Sequence, residues 1–137
     1  MRFLKIFIVT LLVSTAFFSC KKDNNDDVTT PTPPSTVIEG KWVGKYGYQN
    51  DAPTIYYCLN VKPGGIIEEL NSSGESKGSG TWSLNGNTFT AKYQWKAPLN
   101  TIFSVSATLN PATGKLSGTW GWNDDATSGG KWEQSKQ

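Results

Sequence analysis

Residue types that often carry chemistry are scarce in this chain. It contains no histidine, and its only arginine is Arg2. The absence of histidine removes the usual proton shuttle and the commonest metal ligand. The lack of arginine forks and of any basic cluster removes the usual features of a nucleic-acid-binding surface. The sequence therefore predicts neither a nucleic-acid partner nor a metal site.

Catalytic motifs are missing as well. The chain has no serine-centred elbow, phosphate-binding loop or metal-ligand spacing. Cys58 lacks the base that a nucleophilic thiol needs, since no histidine is present. Glu68 and Glu69 are adjacent in a predicted strand, so they point to opposite faces and cannot act together on one substrate. We therefore predict a protein that is not an enzyme and uses no cofactor.

The length of the chain limits it to one folded domain. It has 137 residues, of which 36% are hydrophobic and 12% aromatic. These values are sufficient for one modest core and leave no room for a second. The change from polar to alternating composition predicts that this domain occupies residues 38–137.

The first twenty residues have the pattern of an export signal. Arg2 and Lys5 precede a largely apolar run from Ile6 to Phe18, and small Ser19 precedes Cys20. The run is too short to span a bilayer as a permanent helix. The pattern predicts a signal peptide at residues 1–19.

The segment Phe17-Phe18-Ser19-Cys20 resembles the lipobox of bacterial lipoproteins, and the leader as a whole resembles those of Bacteroidota lipoproteins. The resemblance implies that Cys20 is acylated, for example with palmitate, and anchors the protein to the outer membrane of the bacterial cell envelope. The alternative is an ordinary secretory signal with an incidental Cys20. Several acyl chains hold a protein firmly at a membrane, whereas one holds it only marginally.

Residues 20–37 have almost nothing to bury. Three prolines flanked by threonines favour extended conformations, and the rest of the segment is polar or charged. We predict a disordered linker. The run Lys-Lys-Asp-Asn-Asn-Asp-Asp resembles the signals that send Bacteroidota lipoproteins to the cell surface; a solvated linker that faces the periplasm is the alternative.

The remaining sequence is organised around Asn85-Gly86, which separates two alternating runs and predicts a β-hairpin with a type I′ turn. The same alternation recurs between other turn signals, with no helical periodicity. It predicts an all-β fold, an eight-stranded antiparallel up-and-down barrel. The predicted strands are Lys41–Tyr48, Thr54–Val61, Ile66–Leu70, Gly80–Leu84, Thr88–Trp95, Ile102–Leu109, Leu116–Trp122 and Gly130–Gln134.

A short motif adds a resemblance to this pattern. Gly40-x-Trp42 at the start of the first strand is similar to the lipocalin and wider calycin families, in which the tryptophan closes the base of an eight-stranded barrel. In its compact size the domain resembles the lipocalin-like lipoproteins of Bacteroidota or, alternatively, avidin-type barrels. The resemblance implies that Trp42 plugs the bottom of a lipocalin-like barrel.

Strand parity predicts which side chains face the interior. In each predicted strand, one set of alternate positions is mostly aromatic or aliphatic, and this set is predicted to face the interior. All six tryptophans belong to it. Such a barrel is either filled by its side chains or open enough for one small ligand. Aromatic rings with polar groups near one mouth suit sugars, flat rings or apolar small molecules. The candidate ligand-binding residues are Tyr46, Tyr48, Tyr57, Trp82, Tyr93, Trp95, Trp120 and Trp122.

Three further positions carry predictions of their own. If the register of the third strand follows its aliphatic residues, Glu68 points inward as an internal acid; the alternative is an irregular or open strand end that leaves it in water. Cys58 is predicted to lie outside the barrel. Asp124-Asp125 is a weak candidate for calcium, and a turn is the commoner explanation.

Two functions follow from these features. The first is a lipid-anchored envelope protein, periplasmic or surface-facing, whose barrel binds a small hydrophobic or glycan ligand at an aromatic mouth. The second is a protein–protein interaction module, an accessory subunit or inhibitor, with a filled barrel and a partner at loops such as Asn71–Gly78 and Asn123–Gly129.

Overall fold

The computed structural model describes residues 38–137. The predicted signal peptide at residues 1–19, the lipidation of Cys20 and the predicted linker at residues 20–37 lie outside the described part of the chain. Within residues 38–137, no helix is long and apolar enough to cross a membrane.

The described residues form eight strands, each antiparallel to the next. The strands are β1 (Gly40–Tyr46), β2 (Ile55–Lys62), β3 (Ile66–Leu70), β4 (Ser76–Asn85), β5 (Thr88–Trp95), β6 (Ile102–Asn110), β7 (Lys115–Trp122) and β8 (Gly130–Lys136). Strand β1 also pairs with β8, so the sheet closes into a barrel. Closure leaves no unpaired strand edge. The predicted eight-stranded antiparallel barrel is confirmed.

The β4–β5 hairpin forms where Asn85-Gly86 indicated, but its turn is displaced by one residue. Asn85 is still paired, with Thr88, so the two loop residues are Gly86 and Asn87. Gly86 has a φ of 59°. Glycine at the first central position is characteristic of a type II′ turn. The predicted type I′ turn centred on Asn85-Gly86 is therefore wrong, because the ladder extends one residue further than the alternation indicated.

Strand β4 begins at Ser76, four residues before its predicted start, because a tight turn precedes it. Asn71 Oδ1 accepts the backbone N–H groups of Ser73 and Glu75 at 3.0 and 2.8 Å. This turn reverses the chain within residues 71–75 and allows the following residues to pair with β3. The loop predicted at Asn71–Gly78 is therefore partly strand.

The turn between β2 and β3 sets the register of β3. It consists of one short 3-10 turn, Pro63–Gly65, so that Val61 pairs directly with Ile67. Val61 faces the interior, and paired residues share a face. Ile67 and Glu69 are therefore also inside, and Glu69 is only 4% exposed.

The register that would place Glu68 inside is wrong, and the alternative that leaves its side chain in contact with water is the one that the structure supports. Ile66 is exposed, and Glu68 lies on the outer wall, where its carboxylate is 2.7 Å from Lys62 Nζ. The bond to Lys62 lowers the pKa of Glu68. The physical reason for the error is that the two ends of this strand, Ile66 and Leu70, are apolar residues on the outer face.

The barrel is closed at the end where β1 begins. Trp42 and Ile38 are fully buried there, and Trp42 Nε1 donates to the Ile38 carbonyl at 2.7 Å. The interior next to this plug is filled by other buried apolar side chains, including Leu59, Val61, Ile67, Phe89, Leu109, Leu116 and Trp132. The plug at Trp42 is as predicted.

The two ends of the barrel have different connections. The closed end has short turns at residues 63–65, 86–87 and 111–114. The opposite end has the longer loops, at residues 47–54, 71–75, 96–101 and 123–129. Loops that surround an open barrel end commonly carry binding residues.

Cys58 lies on the outer face of the wall, as predicted. It pairs with Val43 in β1 and Leu70 in β3, and its side chain is buried and makes no disulfide. Burial raises the pKa of the thiol, while a hydrogen bond from Tyr56 lowers it by less. The protonated thiol is a poor nucleophile.

Candidate functional site: an aromatic mouth

The open end of the barrel contains a cavity of about 200 Å³. We call the open end and its cavity the mouth. The cavity extends from the rim to the floor formed by Tyr57 and Tyr93. All strands except β4 and β8 contribute lining residues, together with the loops at residues 47–54 and 96–101. Its lining residues are Tyr46, Tyr48, Tyr57, Glu69, Tyr93, Trp95, Thr101, Phe103, Trp120 and Trp122.

Seven of the eight aromatic residues predicted as ligand-binding line this cavity. Trp82 does not. Its indole N–H donates to the Lys62 carbonyl at 2.8 Å, and its ring stacks on Phe89 in the closed half of the barrel. Trp82 therefore lies outside the cavity that the other seven line, because parity gives the face of the sheet but not the height along the barrel axis.

The aromatic rings of the mouth contact one another in a continuous series. The Tyr46, Tyr48 and Trp120 rings meet edge to face, with centroids 5.3–5.6 Å apart. Trp120 continues the series to Trp122 at 5.0 Å and to Phe103 at 6.1 Å. Edge-to-face rings hold one another in fixed orientations. The mouth is therefore lined by an ordered apolar surface.

The loops fix Trp120 in this arrangement. Its indole N–H donates to the Gly47 carbonyl at 2.9 Å, and its ring lies against the backbone of Gly129. A Cβ at Gly129 would lie 2.5 Å from a ring carbon, so only glycine fits there. The Gly129 carbonyl accepts from the Gln49 backbone N–H at 2.6 Å, which joins the two loops beside the tryptophan.

Glu69 is the polar centre of the mouth. Its Oε2 accepts from Trp95 Nε1 at 2.7 Å, and its Oε1 is 2.5 Å from Lys77 Nζ. Lys77 Nζ also lies 3.9 Å from the centroid of the Trp95 ring, in a cation–π contact. A buried carboxylate is tolerated when charged and hydrogen-bonding partners surround it.

Tyrosine hydroxyls extend this polar centre across the floor. The Tyr57 and Tyr93 hydroxyls are 2.9 Å apart, and Tyr93 also interacts with Glu69. Burial is the main cause that raises the pKa of both phenols well above the usual value. Nearer the rim, burial and then the contact with Tyr48 raise the pKa of Tyr46 to about 12. These hydroxyls are neutral donors and acceptors at neutral pH.

The indole N–H groups distinguish one tryptophan from the others. Five tryptophans donate to a protein carbonyl or carboxylate. Within residues 38–137, Trp122 is the one whose indole N–H has no protein acceptor. It is also 40% exposed at the rim. Trp122 therefore offers a ring face and a donor to a molecule that enters the mouth.

The acidic pair Asp124-Asp125 forms a turn. Asp125 Oδ1 accepts the Thr127 backbone N–H and hydroxyl at 2.8 and 2.6 Å, and Asp124 contacts Lys92. The two hydrogen bonds from Thr127 lower the pKa of Asp125. No group of metal-ligating side chains occurs among residues 38–137. These contacts support the interpretation of Asp124-Asp125 as a turn.

The sequence prediction of the site missed three lining residues, Glu69, Thr101 and Phe103, and also missed Lys77, which pairs with Glu69. The signal for Glu69 was present in the tight Pro63–Gly65 connection, which places Ile67 opposite Val61. Lys77 could not be found in this way, because a register shift between Glu69 and Leu70 leaves Lys77 without a paired residue in β3.

Comparison with known proteins gives no assignment. No protein-family model, curated protein or solved structure matches this chain. A function must therefore be inferred from the chemistry of the mouth. It combines aromatic faces, neutral hydroxyls and one carboxylate in an open cavity, which is an arrangement suited to reversible binding.

Proposed function

We propose that this protein binds one small ring-bearing molecule at the mouth of its barrel. The observation that carries the proposal is the convergence of seven predicted aromatic side chains and Glu69 on one open cavity. Large apolar surfaces with a few fixed polar groups are typical of small-molecule sites.

The size of the cavity limits the ligand. Pockets for drug-sized ligands measure roughly 300–1,000 Å³, whereas this one measures about 200 Å³. We therefore propose a single sugar ring, a small flat ring or the end group of a longer molecule. Fatty acids and haem-like rings would not fit within the mouth.

Binding rather than catalysis accounts for the groups present. The one carboxylate of the cavity is already engaged by Lys77 and Trp95, and the Tyr57 and Tyr93 phenols hold their protons tightly. Neither the carboxylate nor the phenols are arranged to act as a general base at neutral pH. We therefore propose a binding protein without enzymatic activity of its own.

Intrinsic tryptophan fluorescence tests the proposal. We expect saturable changes in emission on titration with a panel of monosaccharides and small aromatic compounds, because Trp95, Trp120 and Trp122 line the cavity. The substitution Tyr48→Ala should weaken binding about ten-fold, which corresponds to about 1.4 kcal/mol.

Tyr56→Ala is the matched control. Tyr56 is 42% exposed on the outer wall and Tyr48 is 46% exposed at the rim, so both changes remove a similar exposed ring. Tyr56→Ala should leave the affinity unchanged. An emission spectrum that no compound of the panel alters, together with amide NMR shifts absent from the mouth, would refute the proposal.

The rim favours a second candidate, contact with a protein partner. Leu99 in the loop at residues 96–101 is 65% exposed, and Tyr48 and Trp122 are exposed at the same end. Apolar groups clustered on a surface often mark an interface. Leu99 does not line the cavity. Leu99→Ser should therefore abolish binding of a protein partner and leave small-molecule binding intact, which separates the two functions.

We further propose that the barrel is held at the outer membrane by acylated Cys20. The support is the lipobox-like segment that ends at this residue. Cells supplied with a clickable palmitate analogue should label the wild-type protein and not a Cys20→Ser variant. The variant should also move from the membrane to the soluble fraction. Equal labelling of both proteins would exclude the anchor.

A further inference from the structure

The ammonium group of Lys77 lies in the mouth of the barrel. The Lys77 ammonium lies 2.5 Å from Glu69 Oε1 and 3.9 Å from the centroid of the Trp95 ring. An indole face with a carboxylate at its N–H edge is a favourable environment for an organic ammonium ion. The site is therefore built, and a lysine side chain occupies it.

The two partners of this ion pair differ in how firmly they are held. The Glu69 side chain is 5% exposed and is fixed by Trp95 Nε1 and Tyr93. The Lys77 side chain is 36% exposed, and its flexible stem begins beside the register shift between β3 and β4. Such a stem is able to return its ammonium to water without disturbing the sheet. Lys77 is the replaceable partner.

We propose that the ligand of the mouth carries an ammonium group, which replaces the Lys77 ammonium between Glu69 and the Trp95 ring. The ring or other apolar body of the ligand then lies against Phe103, Trp120 and Trp122. This inference rests on the proposed small-molecule binding and adds the charge of the ligand. In the empty protein, Lys77 keeps the buried carboxylate paired.

The opposite charge is disfavoured by the same contacts. An anionic ligand would draw Lys77 away from Glu69 and leave a carboxylate unpaired inside the barrel, which is costly. A cationic ligand leaves Glu69 paired and frees the Lys77 ammonium for hydration. The exchange of one ammonium group for another therefore keeps the Glu69 carboxylate paired with a cation.

Three probes of similar shape test the charge preference. They are phenethylammonium, phenethyl alcohol and phenylacetate, titrated at constant ionic strength with tryptophan emission and calorimetry as readouts. For the wild-type protein we expect the cation to bind about ten-fold tighter than the alcohol. The anion should bind more weakly than the alcohol.

Lys77→Gln supplies the decisive comparison. This change removes the internal competitor, so the affinity for the cation should rise about five-fold relative to the affinity for the alcohol. Lys62→Gln is the matched control, since it breaks the Lys62–Glu68 pair on the outer wall and leaves the mouth intact. It should alter neither affinity.

The outcomes separate this inference from the proposed function. Equal affinity for cation and alcohol, or weaker binding of the cation by the Lys77→Gln variant, overturns the ammonium proposal. Binding of the alcohol or of neutral sugars at the mouth would in that case still support the proposed function. If no probe and no sugar binds, both proposals fail.

Discussion

Replacement of Glu69 by glutamine tests the central feature of the mouth. Lys77, Trp95 and Tyr93 all present hydrogen-bond donors to the Glu69 carboxylate. A glutamine has one acceptor oxygen, and its NH₂ group would face one of these donors. The variant therefore loses one charge-assisted hydrogen bond and leaves a donor without an acceptor.

The magnitude follows from burial. A lost hydrogen bond to a charged group and an unsatisfied buried donor each cost about 1–3 kcal/mol, and movement of Lys77 into water recovers part of this. We expect Glu69→Gln to lower the free energy of unfolding by about 2–4 kcal/mol. Glu68→Gln is the control, because the neighbouring carboxylate is paired on the outer wall and its loss costs less than about 1 kcal/mol.

Urea denaturation followed by tryptophan emission measures the difference. With a slope of about 2 kcal/mol per molar urea, the midpoint of Glu69→Gln should fall by about 1–2 M. The midpoint of Glu68→Gln should fall by less than about 0.5 M. Equal shifts of the two midpoints, or a larger shift for Glu68→Gln, would refute the assignment of Glu69 to the interior.

Further predictions concern the core and the phenols. Trp42→Phe removes the hydrogen bond that holds the plug and leaves a small cavity, so thermal unfolding should show a loss of about 2–3 kcal/mol; an unchanged melting temperature would contradict this role. Gln134 is 2% exposed and its two amide atoms have no hydrogen-bond partner, so Gln134→Met should raise stability by about 1–2 kcal/mol in urea, and a loss would contradict it. Tyr46, Tyr57 and Tyr93 bind their protons more tightly in the folded protein, so their contribution to stability is complete below pH 10.0 and decreases as the pH rises above it. A spectrophotometric titration in which these phenols ionise at the same pH before and after unfolding would contradict their burial.

Local pattern was sufficient for the fold. Two-residue alternation, interrupted by turn residues at Asn85-Gly86 and Pro63–Gly65, predicted eight short strands and one face of aromatic side chains. This works because alternate side chains in a strand point to opposite sides, whatever the rest of the chain does. The inward parity of Trp95, Trp120 and Trp122 therefore follows from their positions within their own strands.

The contents of the mouth depended on long-range register. Whether Glu68 or Glu69 is inside follows from a turn of three residues, since a shift by one position exchanges the two faces of a strand. The height of Trp82, which lies outside the cavity, follows from its pairing with Ala91 and not from its parity.

The sequence by itself determined an all-β barrel with an apolar interior, because hydrophobic alternation is a property of each strand alone. Only the tertiary structure decided which end of the barrel is open and that Lys77 meets Glu69 over the Trp95 ring. That meeting requires the shift in pairing between β3 and β4 and the turn at residues 71–75. Contacts between strands depend on the register in which neighbouring strands pair. The two-residue alternation within one strand does not specify that register.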